Sequence, residues 1–350
     1  MKHQVFLSIL LFSLGLQLLF AAPQMWQNEL AIRQGLNVGW SQTVAADTDG
    51  SIIIIWSDTR NAERDLWAQK LDSEGNFLWN NGEPQLIANG INLQINSIII
   101  PTSDNCFVIA WISKYYPHED PIHAQKINQN GDLLWEQNGV TVCEGLNFGV
   151  PLQGCSDGSG GVYLAWTDFR NDSDDIYASH VLADGSQPWA VNGIPIANTN
   201  TDEELNCLIS DGRGGFIIGY KNRIDHQDDL YMNRILFNGD SAWGGAQILT
   251  AGTYDQNQAQ IADDGLGSFI FVWKDANYNN PKIYARRIDY NGQFLWENPL
   301  PIFSHPNYEA KPQIITSRDN SVIIAWEGSR TDEVWSDLYA QKVSVNGELL

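Results

Sequence analysis

The residues whose types and spacing could do chemistry in this sequence recur. Trp56, Asp58, Arg60, Asp65 and Trp67 follow the pattern W-x-D-x-R…D-[IL]-[WY]-A, and Trp166, Asp168, Arg170, Asp175 and Tyr177 repeat it. A ring of such groups could bind an oligosaccharide, a peptide or a cation. A residue that serves the fold recurs in every copy, whereas a catalytic residue need occur only once. Asp58 with Arg60, and Asp168 with Arg170, are therefore read as clamps on their own loops. The candidate ligand-binding positions are then the places where the pattern breaks. These are Tyr115, Tyr116, His118 and Glu119, beside Lys114, and Glu327, Asp332 and Trp335, beside Glu333. Exposed Tyr and Trp suit stacking on a sugar or peptide. Cleavage of a polysaccharide would need paired carboxylates, for which Glu119, Asp120, Glu327 and Asp332 stand available.

Other chemistry finds less support. Asp47-Thr48-Asp49-Gly50 and Asp263-Asp264-Gly265 look like pieces of an oxygen-ligand loop for calcium, but the full spacing with its distal Glu is missing. The six His are scattered, with no ligand pair at zinc spacing. A phosphate loop, a G-x-S-x-G elbow and an H-E-x-x-H pair are all lacking. No cofactor is expected. A net charge of −22, spread along the chain, argues against nucleic acid and anionic membrane surfaces as partners. Lys2 and His3, an apolar run from Val5 to Phe20, then Ala21-Ala22-Pro23 read as a signal peptide over 1–21. The mature protein is expected to be a monomer, secreted to the extracellular space or periplasm, without membrane insertion. Cys143 and Cys155 fall on the outer and inner strands of successive units, roughly 14 Å apart at the usual strand spacing. Disulfides need Cα atoms within about 7 Å. No bridge is expected, Cys155–Cys207 being the least implausible pair.

The elements that position these groups come from a six-fold repeat. An aromatic closes an apolar run at Trp56, Trp111, Trp166, Tyr220, Trp273 and Trp326, at intervals of 53 to 55 residues. A second ladder follows at Trp79, Trp135, Trp189, Trp243 and Trp296. In the first copy, strands are expected near 41–46 (a), 51–56 (b), 65–71 (c) and 77–88 (d). The a–b turns hold only Gly or Asn at Gly50, Asn105, Gly160, Gly214, Gly267 and Asn320, which signals a left-handed backbone. Asp47, Asp157, Asp211 and Asp264 stand three residues earlier, where a carboxylate can bond the turn. The c–d turns always hold Gly, at Gly75, Gly131, Gly185, Gly239, Gly292 and Gly347.

Two hairpins per copy predict an all-β fold, a six-bladed β-propeller of four-stranded antiparallel blades. The blades run roughly over 36–90, 91–145, 146–199, 200–252, 253–305 and 306–350, the last completed by 22–35, within one domain over 22–350. GELL at 347–350 followed by Met25-Trp26 restores the GNFLW of copy one, so the N-terminal strand is expected to close the ring. The longer, variable b–c connections make their face the expected binding face.

The segment WTDFRNDSDDIYASHVLADGSQPWAVNG at 166–193 resembles the repeats of uncharacterised secreted bacterial β-propeller proteins, and the resemblance covers the whole mature chain. It implies the propeller and no particular activity. The ring also resembles the six-bladed sialidase shape, but the S-x-D-x-G-x-T-W box and an arginine triad are absent. The sequence therefore favours an exported, non-enzymatic binding or scaffold module for a glycan, peptide or protein. The alternative is a polysaccharide-acting enzyme, a glycoside hydrolase or lyase, with acidic residues on the b–c face.

Overall fold

The computed structural model describes residues 30–32, 38–61, 63–90, 92–114, 120–145, 151–277, 282–302, 309–329 and 337–350. They form six antiparallel sheets, and within each the strands follow chain order. Sheet one holds β1 (Val38–Ala46), β2 (Ile52–Asn61), β3 (Glu63–Leu71) and β4 (Gln85–Ala88). Sheet two holds β5 (Leu93–Pro101), β6 (Phe107–Lys114), β7 (Ile122–Ile127) and β8 (Val140–Cys143). Sheet three holds β9 (Leu152–Ser156), β10 (Val162–Asp168), β11 (Asp175–Val181) and β12 (Ile194–Ala197). Sheet four holds β13 (Asp202–Ser210), β14 (Phe216–Ile224), β15 (Gln227–Ile235) and β16 (Gln247–Thr250). Sheet five holds β17 (Gln256–Asp263), β18 (Phe269–Asp275), β19 (Lys282–Ile288) and β20 (Leu300–Pro301). Sheet six, among the described residues, has three strands: β21 (Glu309–Thr316), β22 (Val322–Gly328) and β23 (Asp337–Val343). Six such sheets are consistent with the blades of a six-bladed propeller. The expected signal peptide, and the expected closing strand apart from residues 30–32, lie outside the described residues.

The chain forms two compact units. The first contains sheets one and two, and the second contains sheets four to six with most of sheet three. The runs of Ile, Val and aromatic residues in the second strands prefer extended backbone, where branched side chains pack without losing rotamers. In the first unit Ile53, Ile55, Leu66, Trp79 and Ile87 of sheet one form one buried cluster with Phe107, Ile109 and Trp111 of sheet two. In the second unit Phe269, Phe271 and Trp273 of sheet five pack with Ile217 and Met232 of sheet four, while Ile270, Val272 and Ile283 pack with Val322 and Ile324 of sheet six.

The turn residues have the left-handed backbone expected of them: φ is +87° at Gly50, +56° at Asn105, +60° at Asn320 and +84° at Gly131. The expected d strand is interrupted. Leu71 bridges Phe77, a 3-10 turn follows at Asn80–Gly82, and β4 begins at Gln85. Asn81 (φ 56°) and Gly82 (φ 96°) cannot continue an extended chain.

Two contacts recur at this end of the sheets. The penultimate residue of each third strand is a cation or a histidine aimed at an aspartate of the first turn. Lys70 meets Asp47 at 2.6 Å, Lys126 meets Asp104 at 2.5 Å, His180 meets Asp157 at 3.0 Å and Arg234 meets Asp211 at 2.8 Å. Arg287 meets Asp264 and Lys342 meets Asp319, both at 2.5 Å. The second Trp ladder supplies the other contact. In the first unit Trp79 Nε1 donates to Gln129 O (2.9 Å) and Trp135 Nε1 to Ala183 O (3.2 Å). In the second unit Trp243 Nε1 donates to Tyr290 O (3.2 Å) and Trp296 Nε1 to Val345 O (3.0 Å). Each of these Trp residues thus grips the c–d turn of the next copy. None of the four cysteines forms a disulfide.

This packing makes the turn glycines unequal. A Cβ on Gly131 would lie 2.8 Å from Trp79 Cδ2, whereas one on Gly50 would meet nothing within 4 Å. Both positions have φ near +85°, so either substitution strains the backbone by about 1 kcal/mol. Gly131→Ala should cost roughly 2–4 kcal/mol, because a buried ring must also shift. Urea denaturation of both variants checks this; equal losses would mean that Trp79 does not pack on the turn.

Candidate functional site

The recurring W-x-D-x-R residues satisfy one another. Asp58 accepts hydrogen bonds from Trp56 Nε1 (2.9 Å), Arg60 N (3.1 Å) and Arg60 Nε (2.9 Å). Burial opposes its ionisation, but the bonds from Arg60 and Trp56 win and hold the carboxyl below its ordinary value. The Arg60 guanidinium lies 3.9 Å from the Trp67 ring centre, a cation–π stack. Asp168 accepts from Arg170 Nε (2.7 Å), and that guanidinium lies 3.8 Å from the Tyr177 ring. These groups fold the β2–β3 and β10–β11 connections onto themselves.

Of the candidate ligand positions, Tyr115, Tyr116, His118, Glu119, Asp332 and Trp335 lie outside the described residues. Asp120 precedes β7 in the first unit. Glu327, on β22, pairs with Lys311 at 3.1 Å. The acidic turns considered for calcium are engaged by side-chain cations: Lys70 Nζ contacts both Asp47 (2.6 Å) and Asp49 (3.0 Å), and Arg287 takes Asp264. Among the described residues no group of three or more His, Cys, Asp or Glu side chains could hold a metal ion.

Lys311 leads to a site that loop reading misses. A cavity of about 360 Å³ lies in the second unit along the first strands β13, β17 and β21. Its polar lining comprises Asn206, Asn257, Gln258, Gln260 and Gln313, with Glu204, Lys221 and Lys311. Each of the three strands bulges there, between Leu205 and Cys207, Asn257 and Gln260, and Ala310 and Gln313. A bulge bends the strand and re-aims its side chains. Gln258 (φ 57°) and Lys311 (φ 53°) take left-handed backbone, which is uncommon for residues other than Gly. The bulges are tied in series: Asn206 Oδ1 accepts from Ala259 N (2.9 Å), and Gln258 Oε1 accepts from Lys311 N (2.7 Å). Lys221 Nζ meets Glu204 at 2.7 Å and Asp228 at 3.6 Å. The Asn257 Oδ1 atom is buried without a hydrogen-bond partner.

Two buried carboxyls sit at the starts of these strands. Glu309 lies on β21, two residues before Lys311, and accepts from Ile283 N at 3.1 Å. Burial pushes its carboxyl up to about 7, against the pull of that one bond. Glu203, adjacent to the cavity-lining Glu204 on β13, is fully buried and bonded by Thr199 and Thr201. Burial raises it as well, those bonds opposing. Both are carboxyls that resist ionisation, a property of groups that deliver protons.

No protein-family model matches the chain, so the repeat resemblance has no counterpart there, and no curated protein matches it. Solved structures do share its fold. Polysaccharide lyase Uly1 is similar over 87% of this chain and 77% of its own, with a TM-score of 0.53 and 7% identity. An ulvan lyase of the PL25 polysaccharide lyase family is similar over 88% and 85%, with a TM-score of 0.50 and 11% identity. A protein of unknown function from Dyadobacter fermentans DSM 18053 is similar over 87% and 94%, with the same TM-score and identity. At such identities the likeness is one of fold. The expectation of a non-enzymatic binding or scaffold module is nonetheless corrected, because polysaccharide-cleaving enzymes are built on this fold and the sequence's alternative fits them better. The polar side chains that gather in one place lie on strands and not on the b–c loops: Lys221 on β14, Asn257 and Gln258 on β17, and Lys311 on β21. The signal that could have found them is the polar residue inside each first strand, at Asn96, Asn206, Gln258 and Lys311.

The Glu309 environment sets a pH dependence. A carboxyl raised from an ordinary 4.5 to about 7 in the folded chain favours folding fully below 4.5. That contribution is lost as pH rises towards about 7, because the unfolded chain ionises first. Glu309→Gln keeps an acceptor for Ile283 N and cannot ionise. Relative to wild type it should gain on the order of 1–3 kcal/mol between about pH 5 and about pH 8. Chemical denaturation at both pH values measures this, and a pH-independent difference would show that Glu309 ionises normally.

Proposed function

We propose that this chain is an exported polysaccharide-cleaving enzyme of propeller architecture, with its substrate bound in the cavity on β13, β17 and β21. The observation that carries this reading is the cavity. Concave, polar and lined by carboxamides and two lysines, it has the donors and acceptors that sugar hydroxyls need. It differs from the clamps in that the residues at its bulges, Asn206, Gln258 and Lys311, change from copy to copy. The fold shared with two polysaccharide lyases supports the same reading. Both hydrolysis and elimination must deliver a proton to the departing glycosidic oxygen. Glu309 is the residue we assign to that step: its carboxyl is raised to about 7 by burial, and it lies two positions before the cavity-lining Lys311 on β21.

The test is incubation of residues 22–350 with a panel of polysaccharides, following reducing-end release and the ultraviolet absorbance of unsaturated uronyl products. Reducing ends with that absorbance identify elimination, and reducing ends without it identify hydrolysis. Glu309→Gln should lower kcat by at least about a hundredfold, the range of a general acid, while folding normally. Absence of product from every polysaccharide would overturn the reading.

The ring closure is proposed on the state of sheet six. Leu338 of β23 is 70% exposed, while its counterparts Leu66, Ile122, Ile176, Leu230 and Ile283 are completely buried. Residues 22–35 carry the Trp26 that continues the second ladder, and we assign them as the fourth strand on β23. Deleting 22–35 should lower the thermal midpoint severely, since it uncovers the core face of a whole sheet. A near-normal midpoint would count against closure by this segment.

A further inference from the structure

We infer that the cavity is a subsite for a negatively charged sugar, whose carboxylate or sulfate is held by Lys221 and Lys311. This rests on the polysaccharide reading above and names the substrate class. The chain carries 42 acidic residues against 20 Lys and Arg. The cavity lining itself carries two ammonium groups and one carboxylate, Glu204, with Glu327 and Asp228 paired to the lysines beside it. Lys311 reaches the cavity from a left-handed residue within a bulge, a position that Asn, Asp or Gly fills more readily.

The Lys311–Glu327 ion pair at the cavity is of a kind that a ligand can exchange. Its side chains are 62% and 34% exposed, and a pair this open to water contributes little to stability. An arriving anion can therefore take the place of Glu327 on Lys311, and the released carboxylate is rehydrated. Lys221 is 13% exposed and is paired with both Glu204 and the buried Asp228. The carboxamides supply the remaining recognition. Gln258 spends its Oε1 on Lys311 N, which leaves its amide N–H groups as donors to a sugar oxygen. Asn257, Gln260 and Gln313 add further carboxamides to the lining. Uronate and sulfated sugars share this chemistry: an anion for the lysines, flanked by hydroxyls.

The experiment is calorimetric titration of residues 22–350 with three probes of matched length. These are a glucuronate-containing oligosaccharide, its carboxyl-reduced neutral counterpart, and a sulfated neutral oligosaccharide. At least one anionic probe should bind about tenfold or more tightly than the neutral one, the worth of a hydrogen bond to a charged group. Which anionic probe binds identifies the group that is read. Lys311→Gln should abolish that preference, while Lys311→Arg retains most of it. Lys221→Gln provides a second, independent variant, and the thermal midpoint of each confirms folding. Equal binding of all three probes, no binding of any, or a preference untouched by both Gln variants would overturn the subsite. Cleavage of neutral polysaccharides with no anionic preference would remove the subsite and keep the enzyme. Selective anionic binding lost in Lys311→Gln, with no cleavage of any polymer, would keep the subsite and remove the enzyme.

Discussion

One polar contact per sheet, an ion pair or, in sheet three, a histidine–aspartate hydrogen bond, joins the penultimate residue of the third strand to an aspartate of the first turn, and the rest of the architecture depends on it. Asp211 and Asp264 are wholly buried, and the side chains of Asp47 and Asp157 are nearly so. A buried carboxylate is tolerated only with a cation and further donors. Arg234 and the amides of Arg213 and Gly215 satisfy Asp211, while Arg287 and the amides of Leu266 and Ser268 satisfy Asp264. In these two copies, losing either partner would strand the other in a buried site. The same cations reach onward: Lys126 Nζ donates to Gly160 O (2.7 Å), and Arg287 Nη1 to Val345 O (3.1 Å). One side chain thereby fixes a hairpin and binds the turn of the following copy.

This explains what the sequence made legible. The period, the hairpins and the left-handed turns could be read because each rests on a local constraint. Only Gly or Asn is comfortable at φ near +60° to +90° with no help from its neighbours. The ion-pair ladder obeys an equally strict rule and was missed, because its two ends are 22 to 23 residues apart and one end moves. Where Thr102 and Ser317 replace the turn aspartate, the carboxylate reappears two residues later as Asp104 and Asp319. Either position brings oxygen to the same cation. A rule that conserves an oxygen's place in space is invisible to a search for a fixed letter at a fixed offset.

The cavity was illegible for a different reason. Strand alternation says which residues share a face, and a bulge resets that count by one residue. Read by alternation, the residues before and after the bulge in β17 or β21 are assigned to faces they do not occupy. Asn206, Gln258 and Lys311 then look like ordinary exposed positions of framework strands. The pairs that assemble the wall, Asn206 to Ala259 and Gln258 to Lys311, are each 53 residues apart. Nothing local in the sequence announces them.

The bulge is itself a repeated device, present between Ile95 and Ile98 in sheet two as well as in sheets one, four, five and six. Its backbone is settled by the pairing of the first two strands, so the side chain it carries is released from structural duty. That residue is Asn96 in one copy, Gln258 in another and Lys311 in a third, all with φ between 50° and 57°. A clamp such as Asp58–Arg60 has the opposite economy, since the side chains themselves hold the loop and cannot change without loosening it. Chemistry can diverge among copies only where the backbone already does the structural work. In this molecule the first-strand bulges meet that condition, and those of β13, β17 and β21 line the cavity.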